Sequence, residues 1–511
     1  MKKIKSIPFI LIALGSFSCE KLEDFVGHPH EGPAVVNTSE LTYTKIGGFV
    51  NGSGEEGFAE ISAYDAVTGN LFVVNPVQGE VSVWDISEPS VPSKQASIAL
   101  TGTPNSVAVH HGLLAIALEN DNKQVNGTIE VYDTATMSLV DSYPAGALPD
   151  MVAFSPNGKY IVAANEGEPN DDYTVDPEGS ISVIDVEKKE VHTLFFTAYN
   201  GQTIGNDFRV FGPEACLAQD VEPEYVAVSE DSKYAYVSLQ ENNGMAVVDL
   251  STMTLTDVFG LGVKDHSLTE NAMDASNKDG MLGNFQTWPV LGFYMPDAIA
   301  YAKIGGAAYL ISANEGDSRD YDGYSEEERV KDLVLDATAF PNAEELQADE
   351  NLGRLKITTA NGDIDGDGDY DKIYSYGARS FTIWTPQGEI VYDSGDEIGR
   401  KTMEIAPTLF NDDEGEADGR SDDKGAEPES VTTLKIGEST LLFVGLERTG
   451  GAMVYDITNP SAPEFLKWIF STQDVAPEGL LVIPAEESPN GENLLVITNE
   501  VSNTVSIYEI K

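Results

Sequence analysis

Pro149-Asp150-Met151-Val152-Ala153-Phe154-Ser155-Pro156-Asn157-Gly158-Lys159-Tyr160-Ile161-Val162-Ala163-Ala164-Asn165-Glu166 is the stretch on which the fold turns. Two short apolar runs are joined by an Asn-Gly turn, which reads as a pair of antiparallel strands. The pattern returns from Pro223-Glu224 to Glu241, Pro296-Asp297 to Glu315, Pro428-Glu429 to Glu447 and Pro477-Glu478 to Glu500. Weaker copies run from Pro104-Asn105 to Glu119 and from Ala59-Glu60 to Asn75. Most copies are followed by a third alternating run: Val81–Asp85, Ile129–Asp133, Ile181–Asp185, Met245–Asp249, Met453–Asp456 and Val505–Tyr508. Period-two patterning dominates, and helical periodicity is almost absent.

Positions 60, 105, 150, 224, 297, 429 and 478 mark the copies, so the steps are 45, 45, 74, 73, 132 and 49 residues. The short steps match the ~40–45 residues of a four-stranded propeller blade. The expectation is an all-β chain, a seven-bladed β-propeller of YVTN/WD40-like repeats spanning residues 41–511. The last repeat stops after its third strand, so residues 41–50 are expected to supply the missing outer strand. The extra residues fall after second strands (167–179 and 316–376) or between blades (195–222, 258–295 and 394–427).

Antiparallel pairing puts the start of a first strand and the end of a second strand on one rim. The acids at those places therefore belong around one mouth of the axial channel: Glu60, Asp150, Glu166, Glu224, Glu241, Asp297, Glu315, Glu447, Glu478 and Glu500. The insertions reach the same rim. Many of these acids also have a plainer use, accepting hydrogen bonds from backbone between blades.

The charge balance narrows the partners. The 511 residues include 30 Lys plus Arg against 85 Asp plus Glu, a net charge of −55, with 41% hydrophobic residues. That is enough apolar material for a large core, and the negative field excludes nucleic acid and anionic lipid surfaces as ligands. Lys2, Lys3 and Lys5 precede the apolar run Ile7–Leu14, the layout of a signal peptide over residues 1–18. Gly15-Ser16-Phe17-Ser18-Cys19 resembles a lipoprotein box, with Ser16 and Phe17 as departures, and Glu20–Asp24 resembles the surface-export signal of Bacteroidota lipoproteins. On this reading residues 19–40 are a tether lipidated at Cys19, and the membrane is reached only through that lipid. The protein is then an outer-membrane lipoprotein at the cell surface, or otherwise periplasmic. Cys216 is left without a partner for a disulfide.

Asp363-Ile364-Asp365-Gly366-Asp367-Gly368-Asp369-Tyr370-Asp371 matches the first nine places of an EF-hand-type loop, though Tyr374 stands where the bidentate Glu belongs. Five aspartates in nine residues repel one another unless a cation sits among them, so calcium is expected, with a solvated acidic turn as the plainer alternative. Two clusters mix signs: Asn314–Asp322 around Arg319, and residues 411–429, which hold Arg420, Lys424, Asp422, Asp423 and Glu429; Arg379 lies nearby. These permit two readings. Either the cations neutralise their neighbours, or Asp317, Asp422, Asp423 and Glu429 hold calcium or magnesium while Arg319, Arg379, Arg420 and Lys424 hold a phosphate. The six histidines are scattered and no nucleophile elbow is present, so a serine hydrolase or a His-rich zinc site is poorly supported. Phe285, Trp288, Tyr294, Tyr173, Tyr321 and Tyr324 offer either a sugar-stacking platform or glue between loops.

Glu315–Tyr321, the aspartate loop with Gly377–Trp384, and Ser421–Glu429 together resemble the choice-of-anchor I domain family, over roughly residues 40–510. Ala426 stands where Pro is more usual. The family includes relatives of mesenchyme-specific cell surface glycoproteins, and some members carry alkaline-phosphatase-like labels. The resemblance implies a propeller displayed outside the cell by interchangeable anchors. The expected function is a calcium-binding surface module for an unidentified glycan, mineral, protein or phosphoester. The alternative is a metal-dependent phosphoester hydrolase.

Overall fold

A computed structural model describes residues 36–54, 56–413 and 415–511. The signal peptide, Cys19, the export signal and most of the tether lie outside the described residues. Alternating apolar residues fold as expected into four-stranded antiparallel sheets, seven among the described residues. The first comprises Ser62–Asp65, Asn70–Asn75, Glu80–Asp85 and Ser93–Ala99, and the third Pro149–Phe154, Tyr160–Asn165, Ser180–Asp185 and Glu190–Phe195. The first strand of each sheet touches the first strand of the next, and that of the seventh touches that of the first, closing a β-propeller.

The core sits between blades rather than in one centre. One apolar cluster joins Phe72, Val74 and Val83 of the first blade to Val107, Leu114 and Ile116 of the second. Equivalent clusters fill every other interface, including Leu71 and Val73 against Val496 and Ile507 where the ring closes. Closure follows the expected route. Tyr43–Val50 pairs with Thr504–Ile510, from Tyr43 opposite Ile510 to Val50 opposite Thr504. The sheet edge left by the short seventh repeat is thereby covered.

The aspartates ending third strands have a local use. Asp85, Asp133, Asp185, Asp249 and Asp456 accept hydrogen bonds from backbone amides of the turn that follows. His110 ends the strand Pro104–His110, opposite Leu113, and His111 (φ 45°) takes the left-handed turn place that follows.

The fifth blade is the least regular. Its third strand is Ser380–Trp384, pairing Asn314 with Ser380 across the whole 316–376 insertion. That insertion and the preceding interblade segment share an apolar core of their own, with Met273, Trp288 and Val290 against Val330, Leu352, Leu355 and Ile373. Two short strands, Lys356–Thr358 and Ile373–Ser375, flank the aspartate loop. One helix of nine residues, Glu397–Ile405, interrupts the 394–427 segment and buries Ile398 and Thr402.

Candidate functional site

Five inner strands begin with Pro and carry a register shift within their first residues: Pro104/Ser106, Pro149/Val152, Pro223/Val226, Pro428/Val431 and Pro477/Gly479. Proline suits a strand start because no ladder amide is needed there. A bulge re-aims the side chain beside it. Here that side chain is Asn105, Asp150, Glu224, Glu429 or Glu478, and each lines a single axial cavity of about 990 Å³. Glu60 and Asp297 complete an inner ring of six carboxylates and one amide.

A second tier lies at the ends of the second strands, where Glu119, Glu166, Glu315, Glu447 and Glu500 line the same cavity. The fourth blade departs from expectation. Gln240, not Glu241, faces the cavity, and its Nε2 donates to Glu315 Oε2 at 3.1 Å. One step along a strand end reverses the side-chain direction. Glu241 is therefore turned aside, buried, with no hydrogen-bond partner for its Oε2.

The two tiers differ in how their charge is met. Lys424 Nζ donates to Glu315 at 2.5 Å, Arg448 pairs with Glu447 at 3.0 Å, and Lys123 stands 3.7 Å from Glu168. None of the six inner carboxylates has an ion-pair partner among the described residues. Burial pushes Glu60 up to about 9, helped by the charges of Glu478, Glu500, Asp150 and Glu119. Burial likewise raises Glu224, Asp297 and Glu429 well above the carboxylate range, with neighbouring ring acids adding to it. A carboxyl that cannot shed its charge repulsion keeps its proton or takes a cation.

The cations reserved for phosphate are engaged elsewhere. Arg319 is buried against Asp220 Oδ1 (2.6 Å) and Glu222 Oε1 (3.0 Å), with its guanidinium 4.5 Å from the Phe211 ring. Arg379 donates to the carbonyls of Asp274, Ser421 and Asp423. Arg420 pairs with Glu427 (2.6 Å) and Asp423 (3.1 Å). Only Lys424 of the four reaches the cavity.

The second metal set does not assemble either. Asp422 lies between Arg329 (2.7 Å) and Arg354 (2.9 Å), and Asp423 between Lys356 (3.2 Å) and Arg420. Asp317 is half-exposed at the mouth, 3.7 Å from Lys424 Nζ, and Glu429 belongs to the inner ring. The 411–429 cluster is an ion-pair lattice that fixes its own loop.

The aspartate loop is narrower than its sequence. Asp363, Asp365 and Asp367 bring carboxylate oxygens within 4.8 Å of one another in the open. The amides of Gly366 and Gly368 donate to Asp363, holding the loop around it. Asp371 instead accepts from the Ile364 amide, and Asp369 stays outside the group. Three hard oxygen donors in one turn suit calcium, with the rest of the shell from water. The aromatic residues proposed as a platform act as glue. Trp288 and Tyr294 are buried, Phe285 packs on Phe410, and Tyr173 meets Tyr321 and Tyr324 edge to face at 5.7 and 5.6 Å.

Residues 60–460 match the sequence profile described as Choice-of-anchor I domain. The chain belongs to that family. Among curated relatives, this choice-of-anchor I chain is 30% identical over 191 residues to Gigasin-3a of Magallana gigas, covering 32% of this chain and 67% of that one. It is 25% identical over 343 residues to the mesenchyme-specific cell surface glycoprotein of Strongylocentrotus purpuratus, covering 58% of this chain but only 41% of the relative. Solved structures similar to the choice-of-anchor I fold include the WD40 domain of Toxoplasma gondii coronin, at 9% identity and TM-score 0.48, covering 94% of this chain and 88% of that one. The Cps50 (Swd1) β-propeller domain of Myceliophteria thermophila is similar at 7% identity and TM-score 0.47, covering 92% and 100%.

Proposed function

We propose that this choice-of-anchor I protein is a binding module of the cell surface, tethered by a lipid on Cys19, whose acidic mouth receives a positively charged face of its ligand. The observation that carries the reading is positional. The long insertions begin at strand ends on the rim at which the carboxylate tiers open, and no inner carboxylate forms an ion pair among the described residues. The similarity to the mesenchyme-specific cell surface glycoprotein of Strongylocentrotus purpuratus supports the location. Calcium on Asp363, Asp365 and Asp367 would stiffen the largest of the insertions that frame the mouth. The hydrolase alternative loses support, because Arg319 and Arg379 are committed to internal partners.

The test is binding of a lysine-rich peptide to the purified chain, against a glutamate-rich control of equal length. Binding of the first alone, weakening as salt rises, is expected. Equal binding of both peptides, or of neither, would overturn the reading.

A further inference from the structure

We propose that the axial cavity is itself a chelation site for a divalent, oxygen-seeking metal ion, held by Asp150, Glu166 and Glu224 and separate from the aspartate loop. This goes beyond the surface-binding reading, since it concerns the inside of the ring rather than what docks on its rim. Pairing of Pro149 with Asn165 brings Asp150 and Glu166 side by side, and the neighbouring inner strand adds Glu224. Each offers a carboxylate oxygen within 4.8 Å of the other two. Calcium binds oxygens at about 2.3–2.6 Å, so ligands across one ion lie up to about 4.6–5.2 Å apart, whereas magnesium at about 2.0–2.1 Å demands a tighter set. An all-carboxylate shell favours calcium, magnesium or manganese over zinc, and the spacing favours calcium among them.

Two further observations separate this triad from an ordinary acidic patch. Glu429, on the same cavity, is only 9% exposed and its Oε2 has no hydrogen-bond partner. A buried carboxylate oxygen left without a donor is costly unless something outside the protein meets it. The cavity also contains its own comparison. Glu315, Glu427 and Glu447 converge as closely, and there the fold supplies Lys424 and Arg448. At Asp150, Glu166 and Glu224 no cation forms an ion pair among the described residues; Lys123, whose charge also acts on Asp150, stands nearest Glu168, at 3.7 Å. The cavity's 990 Å³ leaves room for the waters that complete a calcium shell.

Calorimetric titration of the purified full chain with calcium, then with magnesium and manganese, tests the assignment. Two calcium equivalents are expected. One is lost in Asp363→Asn/Asp365→Asn/Asp367→Asn, the other in Asp150→Asn/Glu224→Gln, and both in the combined variant. The axial variant should melt no lower than the wild type in chelator, because it removes like-charge repulsion; this separates lost binding from lost fold. Unchanged stoichiometry in Asp150→Asn/Glu224→Gln, with the fold intact, would overturn the site. Occupation by an organic ammonium instead, seen as spermidine binding lost in the same variant while calcium binding is not, would also overturn it. Peptide binding at the rim is read independently, so either proposal can fail alone.

Discussion

Arg319 shows how a residue can sit in a suggestive motif and serve the fold. Its neighbours in sequence are acids, yet its partners are Asp220 and Glu222, about a hundred residues upstream. Removing one side of a buried pair leaves an uncompensated charge, at a cost of about 3–5 kcal/mol. Arg319→Met is therefore expected to lower the urea midpoint sharply, and an unchanged midpoint would contradict the structural role. His266 gives a prediction of a different kind. It is buried, its Nδ1 2.7 Å from the Asn271 carbonyl, so Nδ1 carries the proton and Nε2 is bare. Burial first, then the charges of Lys264 and Arg379, push it down to about 3, against the opposing pull of Asp393. The unfolded chain takes up a proton near pH 6.5 and the folded chain does not. His266 therefore costs the fold stability as pH falls from about 6.5 toward 3, by up to about 1.4 kcal/mol per unit. Melting of wild type and His266→Gln from pH 4 to 8 should show a difference between them that changes across that window and is flat above it. None of this was legible beforehand, because a side chain's partner across a loop is not encoded in its sequence neighbours.

At the level of elements, strands were legible and insertions were not. A strand declares itself through period two and its turn residues, and the paired runs beginning at Pro149, Pro223 and Pro428 do so. Ser380–Trp384 escaped as the fifth blade's third strand because its partner lies on the far side of the insertion. Glu397–Ile405 escaped because nine residues give barely two and a half turns of periodicity. The Glu241 assignment failed by one residue, which is enough to exchange the channel for the interior. The insertion nevertheless has its own apolar core, so the aspartate loop hangs from a folded support. Calcium is expected to slow proteolysis within residues 316–376 and Asp367→Asn to remove that protection; equal cleavage with and without chelator would exclude the ion from the loop.

Across the whole molecule, the ring's acids act together. Glu60 keeps its proton up to about pH 9 when folded, whereas the unfolded chain releases it near 4.3. Folding therefore loses stability as pH rises between those values when no cation is bound. In chelator, Glu60→Gln is expected to melt higher than wild type, with a larger gain at pH 8 than at pH 5; no gain at either pH would show the ring relieved by other means. The closing strand has a further meaning. Val50 lies beside Thr504 at the mouth, and Tyr43 beside Ile510 at the other end of the blade. Thr38 reaches Asp456 and the Val36 carbonyl reaches Ser439, both where their strands lie farthest from the mouth. The chain thus enters the propeller through its back. A pull applied to the chain at Val36 would therefore load the ring from the face opposite the carboxylate-lined opening, through the strand that closes it.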